Sequence, residues 1–191
     1  MKTIIRTLIM SLILVYSSSL SVFAKEPPTT KTSEQSVVVT YNLHKIPTHG
    51  SNQVAIWVED ASGKFVRTLF VTEFTSKGGY IRRPSSLKTW VEKSNWKAAT
   101  ENEIDALSSA TPKAGVQKIV WDCKDAKGKA LTSGTYTICM EGNLRSGKMM
   151  YAKALVNLGK GYQKVSATLS FIPEEGKAEP LFENVIVEYK K

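Results

Sequence analysis

The stretch VAIWVEDASGKFVRTLFV, residues 54–71, carries the clearest structural signal in the chain. Val54, Ile56 and Val58 alternate with their neighbours, as the inward side chains of a half-buried strand do. A polar run, EDASG, follows, and then the β-branched and aromatic run FVRTLFV. Two such runs on either side of a short polar turn predict a β-hairpin.

Similar alternation recurs outward from this hairpin towards both ends of the chain. Further strands are predicted at residues 37–43, 117–122, 135–141, 149–156, 165–171 and 185–189. About eight short strands with turn signals between most of them are typical of an antiparallel sandwich. The fold class predicted is therefore all-β, a mostly antiparallel immunoglobulin-like β-sandwich.

Residues 76–112 interrupt this rhythm. They hold a Gly-Gly pair, two prolines and two tryptophans, and residues 101–108 have the composition of one short helix. Long irregular connections inside compact domains are more often functional than decorative. The sequence therefore predicts an irregular, partly helical insertion at about residues 76–112.

Residues 121–136 resemble the W-D-x-x-D-x-x-G…S-G-x-Y signature of small immunoglobulin-like domains in secreted and flagellar-hook-associated bacterial proteins. Asp122 and Asp125 suit Asx turns, and Gly128 and Gly134 suit positive φ. A calcium loop is the alternative, but oxygen ligands at suitable spacing are too few. The signature is therefore interpreted as structural.

The first 24 residues have the pattern of a secretory signal peptide. Lys2 and Arg6 form a positive region, an apolar run covers residues 8–15, and small-residue processing chemistry ends at Ala24. An uncleaved membrane anchor is the alternative, although the run is shorter than the roughly 20 residues that span a bilayer. We predict a cleaved signal peptide (1–24), a flexible polar leader (25–36), a single domain (37–191) and a periplasmic location.

The net charge narrows the classes of partner. The 191 residues carry 26 basic and 17 acidic side chains, a formal charge of +9, which becomes +7 without the signal peptide. An exported protein has little access to nucleic acid, so the basic balance favours phosphate-bearing ligands or anionic lipid. We expect no nucleic-acid partner, and we expect peripheral membrane contact to be possible.

The few cysteines and histidines exclude other classes. Two cysteines and two histidines do not make a disulfide-framework miniprotein or a zinc cage. A disulfide between Cys123 and Cys139 is allowed in an exported protein. It is not favoured, because one cysteine is predicted on a loop and the other in the middle of a strand. His44 and His49 lie on a strand and its exit loop, and we expect them to be surface residues with no metal.

The stretch around Arg82 and Arg83 has the composition of a phosphate-binding segment. Gly78-Gly79 precedes the two arginines, and serines follow them. Trp90 is a candidate to stack a planar ring, although capping of the core is the commoner fate of tryptophan. This segment predicts an anion site only in combination with another signal.

That signal is the stretch DALSSAT, residues 105–111, which resembles the sequence on which FAD:protein FMN transferase attaches FMN to exported proteins. The resemblance implies that Thr111 is the acceptor, that Asp105 and Ser108 are recognised, and that the small Ala110 keeps the threonine accessible. In that family the threonine hydroxyl forms a phosphodiester with the FMN phosphate.

Two positions depart from the pattern. Ser109 stands where glycine or alanine is usual, and Pro112 follows the acceptor directly. The alternative interpretation is a helix end running into a Ser/Thr/Pro loop. Arg82, Arg83, Lys113 and Lys118 are candidates to offset phosphate charge, and Trp90 or Trp96 to cover the flavin ring.

The chain as a whole resembles predicted periplasmic proteins of the domain of unknown function 2271 family. The resemblance rests on IPTHGSNQVAIWVED (46–60), GKFVRTLFVT (63–72), Gly78-Gly79-Tyr80, and the 105–111 and 121–136 stretches. It covers roughly residues 36–190. The resemblance implies an exported single domain. It also implies an association with redox systems, because members of the family are similar to proteins that neighbour flavin-transfer and PepSY membrane redox systems.

Together these features favour a periplasmic carrier that holds FMN covalently on Thr111. Its partners would be the FAD:protein FMN transferase and a membrane redox protein with which it exchanges electrons. The alternative is a non-redox immunoglobulin-like binding or adhesion module. A hydrolytic enzyme is disfavoured because the sequence has no GxSxG, no HExxH and no credible histidine-based triad.

Overall fold

The computed structural model describes residues 35–46, 51–145, 148–172 and 180–191. The predicted signal peptide (1–24) and nearly all of the predicted leader (25–36) lie outside these residues. The described part forms ten strands: β1 Ser36–Leu43, β2 Gln53–Asp60, β3 Phe65–Thr72, β4 Ser108–Ser109, β5 Gly115–Trp121, β6 Gly134–Arg145, β7 Lys148–Leu158, β8 Gln163–Ser166, β9 Thr168–Ile172 and β10 Phe182–Lys190.

The strands form two sheets. One has four strands in the order β5-β1-β10-β8, and the other has six in the order β4-β3-β2-β6-β7-β9. All pairings are antiparallel except that of β3 with β4. The prediction of a mostly antiparallel β-sandwich with a partly helical insertion is confirmed.

One core lies between the two sheets. Alternate residues of β1, Val37, Val39 and Tyr41, are buried there, as are Val54, Ile56 and Val58 of β2. Other members include Trp121, Met140, Val156, Phe182 and Val187. We call this the inter-sheet core. It is the core that the two-residue periodicity of the sequence predicts.

The run predicted as one strand at residues 165–171 is two strands in different sheets. β8 pairs with β10 in the four-stranded sheet, whereas β9 pairs with β7 in the six-stranded sheet. Ala167 lies between them, and its N–H donates to the carbonyl of Val185 at 2.9 Å. Val165, Ala167 and Phe171 pack against the inter-sheet core, whereas Leu169, which the alternation predicts to face inward, is exposed.

The insertion occupies residues 73–107, between β3 and β4. It contains a π-helical turn Thr75–Gly79, helices α1 Tyr80–Arg82, α2 Lys88–Lys93 and α3 Glu101–Leu107, and a 3₁₀ turn Trp96–Ala98. Helix α3 is the predicted helix. It begins at a capping box in which the Glu103 N–H donates to the Thr100 hydroxyl and the Glu103 carboxylate accepts from the Thr100 N–H.

A second core lies under the insertion, on the outer face of the six-stranded sheet. Leu87, Trp90, Val91 and Trp96 pack there against Ala55, Trp57, Val71 and Cys139. We call this the outer core. Since β2 contributes alternate residues to both cores, seven of its eight residues are buried.

Polar side chains on β6 fix the insertion to the sheet. The buried Glu141 carboxylate accepts the N–H groups of Trp90 at 2.8 Å and Thr89 at 3.3 Å. The Asn143 side chain accepts the Leu87 N–H at 2.8 Å and donates to the Ser85 carbonyl at 2.7 Å. The first turn of α2 is thus held by two side chains about fifty residues away in sequence.

The 121–136 signature builds a local turn structure. Asp125 accepts the N–H groups of Lys127 and Lys129, each at 2.9 Å, and Gly128 has φ +78°. The expectation for Gly134 is wrong, because it is absent from the described residues with positive φ. The likeness to immunoglobulin-like domains stays a prediction.

The two cysteines are both buried and free. Cys123 belongs to the inter-sheet core and Cys139 to the outer core, so the six-stranded sheet separates them. None of the helices in the described residues is long and apolar enough to cross a membrane.

Candidate functional site

The DALSSAT stretch runs from a helix through a short strand into an exposed loop. Asp105 is exposed on α3, Ser108 and Ser109 form β4, and Thr111 is exposed in the connection to β5. β4 lies at the edge of the six-stranded sheet and β5 at the edge of the other. Thr111 therefore lies where the chain crosses from one sheet to the other.

Ser108 anchors this stretch to the insertion. Its hydroxyl lies 2.7 Å from the Ser76 hydroxyl and donates to the Ile104 carbonyl at 2.5 Å. On the other side, β4 pairs with β3 through Val71 and Thr72. The three residues after β4 are consequently presented from a fixed base.

A cavity of about 460 Å³ adjoins Thr111. It opens at one end of the sandwich, where the end of β1, the start of β2 and the connection to β5 meet. Its apolar walls come from Leu43, Ile46, Val54 and Pro112, and its polar lining from His44, Lys45, Ser51, Asn52 and Lys113. We call it the Thr111 cavity. Its volume is within the range of small-molecule and cofactor sites.

Basic side chains surround this cavity. Lys45 and Lys113 line it, and the Arg83 guanidinium donates to the carbonyl of Ser51, another lining residue, at 3.1 Å. Within the described ranges none of these three makes an ion pair. Of the three, Lys45 and Lys113 line the cavity and are available to an anion bound in it.

His44 has a partner of its own. Its Nε2 lies 3.0 Å from the Glu183 carboxylate, and Asn42 donates to the same oxygen at 3.2 Å. Hydrogen bonds from Asn42 and His44 lower the pKa of Glu183. His44 is half-exposed, in agreement with the expectation of a surface residue; His49 lies outside the described residues.

Asn52 brings an unsatisfied donor to the lining. Its Oδ1 accepts the Ile46 N–H at 3.1 Å, while its Nδ2 is buried and has no hydrogen-bond partner among the residues that the structure describes. Unpaired buried polar groups are uncommon in folded proteins and call for an explanation. A ligand with a carbonyl or ring-nitrogen acceptor would satisfy this one.

Arg82, Arg83 and Trp90 are not among the residues that line the cavity, and Arg83 contacts it only through the carbonyl of Ser51. Both guanidinium groups lie over the Phe74 ring, at 4.6 Å for Arg83 and 5.6 Å for Arg82. Trp90 is fully buried, and its indole N–H donates to the Thr68 hydroxyl at 3.0 Å. The flavin-covering role expected of Trp90 has no exposed ring face to support it, and Trp96 packs beside it at 4.7 Å.

Most of the cavity lining was not anticipated from the sequence. Ile46, Asn52 and Val54 come from the two ends of the β1–β2 connection, some sixty residues before Thr111. Only the sheet topology brings these segments together. No cluster of three or more His, Cys, Asp or Glu side chains suited to a metal ion occurs in the part of the chain that the structure describes.

Comparison with known proteins gives one match. The sequence model of a family described as Predicted periplasmic protein (DUF2271) matches residues 35–171, more than half of the chain. No curated protein and no solved structure matches the chain.

Proposed function

The chain belongs to this family of predicted periplasmic proteins, and from that premise we propose that it carries FMN covalently on Thr111 and exchanges electrons with a membrane partner. The single observation that carries the proposal is the position of Thr111, which is exposed at the edge of a cofactor-sized cavity. A buried threonine without a neighbouring cavity would have argued against it.

The attachment is a phosphoryl transfer catalysed by the FAD:protein FMN transferase. The Thr111 Oγ forms a bond to the FMN-side phosphorus of FAD, the pyrophosphate bond breaks, and AMP leaves. The hydroxyl proton passes to a base of the transferase. The product is a phosphodiester with one negative charge, which the lining residues Lys113 and Lys45 would offset.

The residues around the cavity suit a flavin ring. Leu43, Ile46 and Val54 provide an apolar wall for its faces. The unpaired Asn52 Nδ2 supplies a donor for one of its oxygen or nitrogen acceptors. When bound, the flavin supplies the one- or two-electron chemistry, and the protein orients it and restricts its contact with water.

In-gel flavin fluorescence tests the attachment. The protein is co-expressed with an FMN transferase, denatured and separated, and its intact mass is measured. We expect a fluorescent band and the mass of one FMN joined with loss of water, both abolished in Thr111→Val. The matched control is Thr168→Val, because Thr168 is also exposed but lies on β9. An unmodified wild type in the presence of an active transferase would reject the proposal.

Iodide quenching of the attached flavin tests whether the cavity receives the ring. Ala114 lines the cavity and is exposed, so Ala114→Trp fills the space without disturbing a core. We expect the variant to be modified normally but to show a more strongly quenched flavin than wild type. Ala61→Trp, on the exposed turn between β2 and β3, is the control. Equal quenching in all three proteins would place the ring elsewhere.

The alternative, a non-redox binding module, also uses the Thr111 cavity. The Asn52 Nδ2 and the two lining lysines, which have no side-chain partner in the described part of the chain, suit any small anionic ligand with an acceptor group. The two functions separate in the co-expression experiment. A binding module stays unmodified, whereas a carrier acquires FMN.

A further inference from the structure

The segment that follows β3 brings two arginines onto one aromatic ring. The Phe74 ring packs against the backbone of Gly79, where the Cβ of any other residue would collide with it. The guanidinium groups of Arg83 and Arg82 lie over the same ring, at 4.6 Å and 5.6 Å from its centre. Cation–π contacts at these distances stabilise the positions of both side chains. We call Phe74, Gly79, Ile81, Arg82 and Arg83 the arginine platform.

The two positive charges of the platform have no acidic partner among the residues described. The acidic residue that precedes them, Glu73, is paired with Lys77, whose Nζ lies 2.8 Å from its carboxylate. Two like charges beside one ring repel each other, and a bound anion relieves that repulsion. A phosphate group suits the site, because the planar donors of arginine fit two phosphate oxygens.

An exposed isoleucine adjoins the two arginines in the chain. Ile81 is 74% exposed, and its Cδ1 lies close to Gly78. The isoleucine and the Phe74 ring therefore lie against consecutive glycines. A soluble phosphate would bind the arginines but leave Ile81 in water. A lipid surface accommodates both, because its acyl region takes up the apolar side chain and its headgroups bind the basic ones.

The platform adjoins the Thr111 cavity. The Arg83 guanidinium donates to the carbonyl of Ser51, which lines the cavity, at 3.1 Å. Lys45 and Lys113 also line the cavity, and both are exposed. Basic side chains therefore extend from the platform to the cavity at one end of the sandwich.

We propose that the arginine platform docks the protein on an anionic lipid surface. Ile81 enters the boundary between headgroups and acyl chains, and Arg82 and Arg83 bind lipid phosphates. The chain carries 26 basic and 17 acidic side chains, which favours approach to such a surface. Docking would bring the mouth of the Thr111 cavity close to the membrane. It requires no cofactor, so it goes beyond the attachment of FMN.

Vesicle flotation tests the docking. The protein is purified from the periplasm of an expression host without a co-expressed transferase, and its intact mass confirms that it carries no flavin. It is mixed with vesicles of roughly two thirds phosphatidylcholine and one third phosphatidylglycerol. We expect wild type to float with these vesicles but not with vesicles of phosphatidylcholine alone. Added salt should weaken the binding, because it screens the attraction.

Substitutions on the platform test its two parts separately. A basic residue near an anionic surface contributes about fivefold to affinity. Arg82→Gln should therefore weaken binding about fivefold, and Arg82→Gln/Arg83→Gln about twentyfold. Ile81→Ser should also weaken it about fivefold, because the apolar side chain that leaves water is lost. Ile81 and Arg82 are exposed, so we expect both single variants to fold, which circular dichroism checks.

The matched control is Lys127→Gln/Lys129→Gln, which removes the same charge as the double arginine variant. Both lysines are exposed on the turn after β5, whereas the Thr111 cavity lies next to the start of β5. Their backbone N–H groups, rather than their side chains, donate to Asp125. We expect the control to bind the vesicles as wild type does.

Three results would overturn the proposal. The first is failure of wild type to bind the phosphatidylglycerol vesicles. The second is an equal loss in the arginine and lysine double variants, which would mean that net charge alone attracts the protein. The third is unchanged binding of Ile81→Ser together with displacement by inorganic phosphate at constant ionic strength, which would assign the arginines to a soluble phosphate. Because the unmodified protein is used, none of these outcomes bears on the attachment of FMN.

Discussion

The two faces of the six-stranded sheet are covered in different ways. On the inner face the inter-sheet core joins apolar side chains from both sheets, and its members come from strands with regular alternation. On the outer face the insertion supplies four large apolar residues, and polar side chains of the sheet bind its backbone. The inner face is stabilised by the packing of apolar side chains. The outer face is stabilised by such packing and also by specific hydrogen bonds.

This difference arises because strands cover the inner face, whereas an irregular segment covers the outer face. A strand pairs its own backbone groups in the sheet, so only side chains meet across the inter-sheet core. The irregular insertion leaves N–H and C=O groups unpaired, and burying them requires partners. Glu141, Asn143 and Gln53 are these partners, and all three are buried on the sheet.

Replacing a tryptophan in each core should have the largest effect. Trp121→Ala and Trp90→Ala each remove a buried indole, and each should lower the free energy of unfolding by about 3–5 kcal/mol in urea titrations. Hydrogen exchange should show that the two substitutions affect different parts of the molecule. We expect Trp121→Ala to reduce protection in both sheets and Trp90→Ala mainly in residues 73–107. Identical exchange patterns would show that the two cores unfold as one unit.

The second-largest expected effect is the pH dependence of the free energy of unfolding. Burial raises the pKa of the Glu141 carboxyl to about 7, against the opposing hydrogen bonds from Trp90, Thr89 and Tyr151. Glu141 therefore has a higher pKa in the folded protein than in the unfolded chain, where it is near 4.3. Its contribution to stability is fully present below about pH 4.3 and is lost as the pH rises through 7. Relative to Glu141→Gln, wild type should lose about 2–3 kcal/mol between pH 5 and pH 8.

Thermal unfolding across that pH range measures this loss. The Gln variant keeps an acceptor for the α2 backbone but does not titrate, so the difference between the two proteins isolates Glu141. Parallel curves would mean that the carboxyl titrates as an exposed group does.

Replacing Asn143, the other side chain of β6 that binds the insertion, should lower the free energy of unfolding somewhat less. Asn143→Leu keeps the side-chain volume but leaves the Leu87 N–H and the Ser85 carbonyl unpaired. We expect a loss of about 1–3 kcal/mol in urea unfolding. The control Asn102→Leu, exposed on α3, should stay within about 0.5 kcal/mol of wild type. A neutral Asn143→Leu would argue that the outer core alone holds the insertion.

The smallest expected effect is at a single backbone position. Asn95 has φ +52° in the turn after α2 and is exposed. Asn95→Val should cost about 1–2 kcal/mol because a β-branched residue strains there. Asn95→Gly should stay within about 0.5 kcal/mol. Equal stability of the two variants, measured by calorimetry, would show that the turn adjusts freely.

The sequence predicted the inner face of the sheet well because its information is local. Alternation identifies Val54, Ile56 and Val58 as buried. The turn chemistry of Asp125 and Gly128 depends on residues within four positions. The burial of Ala55 and Trp57 was missed. A strand covered on both faces loses its alternation, and the covering segment comes later in the chain.

The candidate site was predictable only in part. The resemblance around Thr111 drew attention to a residue that lies exposed beside a cavity. The walls of that cavity, Ile46, Asn52 and Val54, have no motif of their own, and only the fold brings them near Thr111. Trp90 was a candidate for ring contact because tryptophan composition alone does not distinguish a buried indole from an accessible one.

The parallel pairing of β3 with β4 has a consequence for how the molecule could be remodelled. Val71 faces Ser108 and Thr72 faces Ser109, so the two ends of the insertion lie in neighbouring strands, about 5 Å apart. A short linker would span that distance, and closing so small a gap costs little chain entropy. The insertion is thus an exchangeable part. Homologous or designed segments of other lengths could be grafted between Thr72 and Ser108, provided that they cover Trp57 and satisfy Glu141 and Asn143.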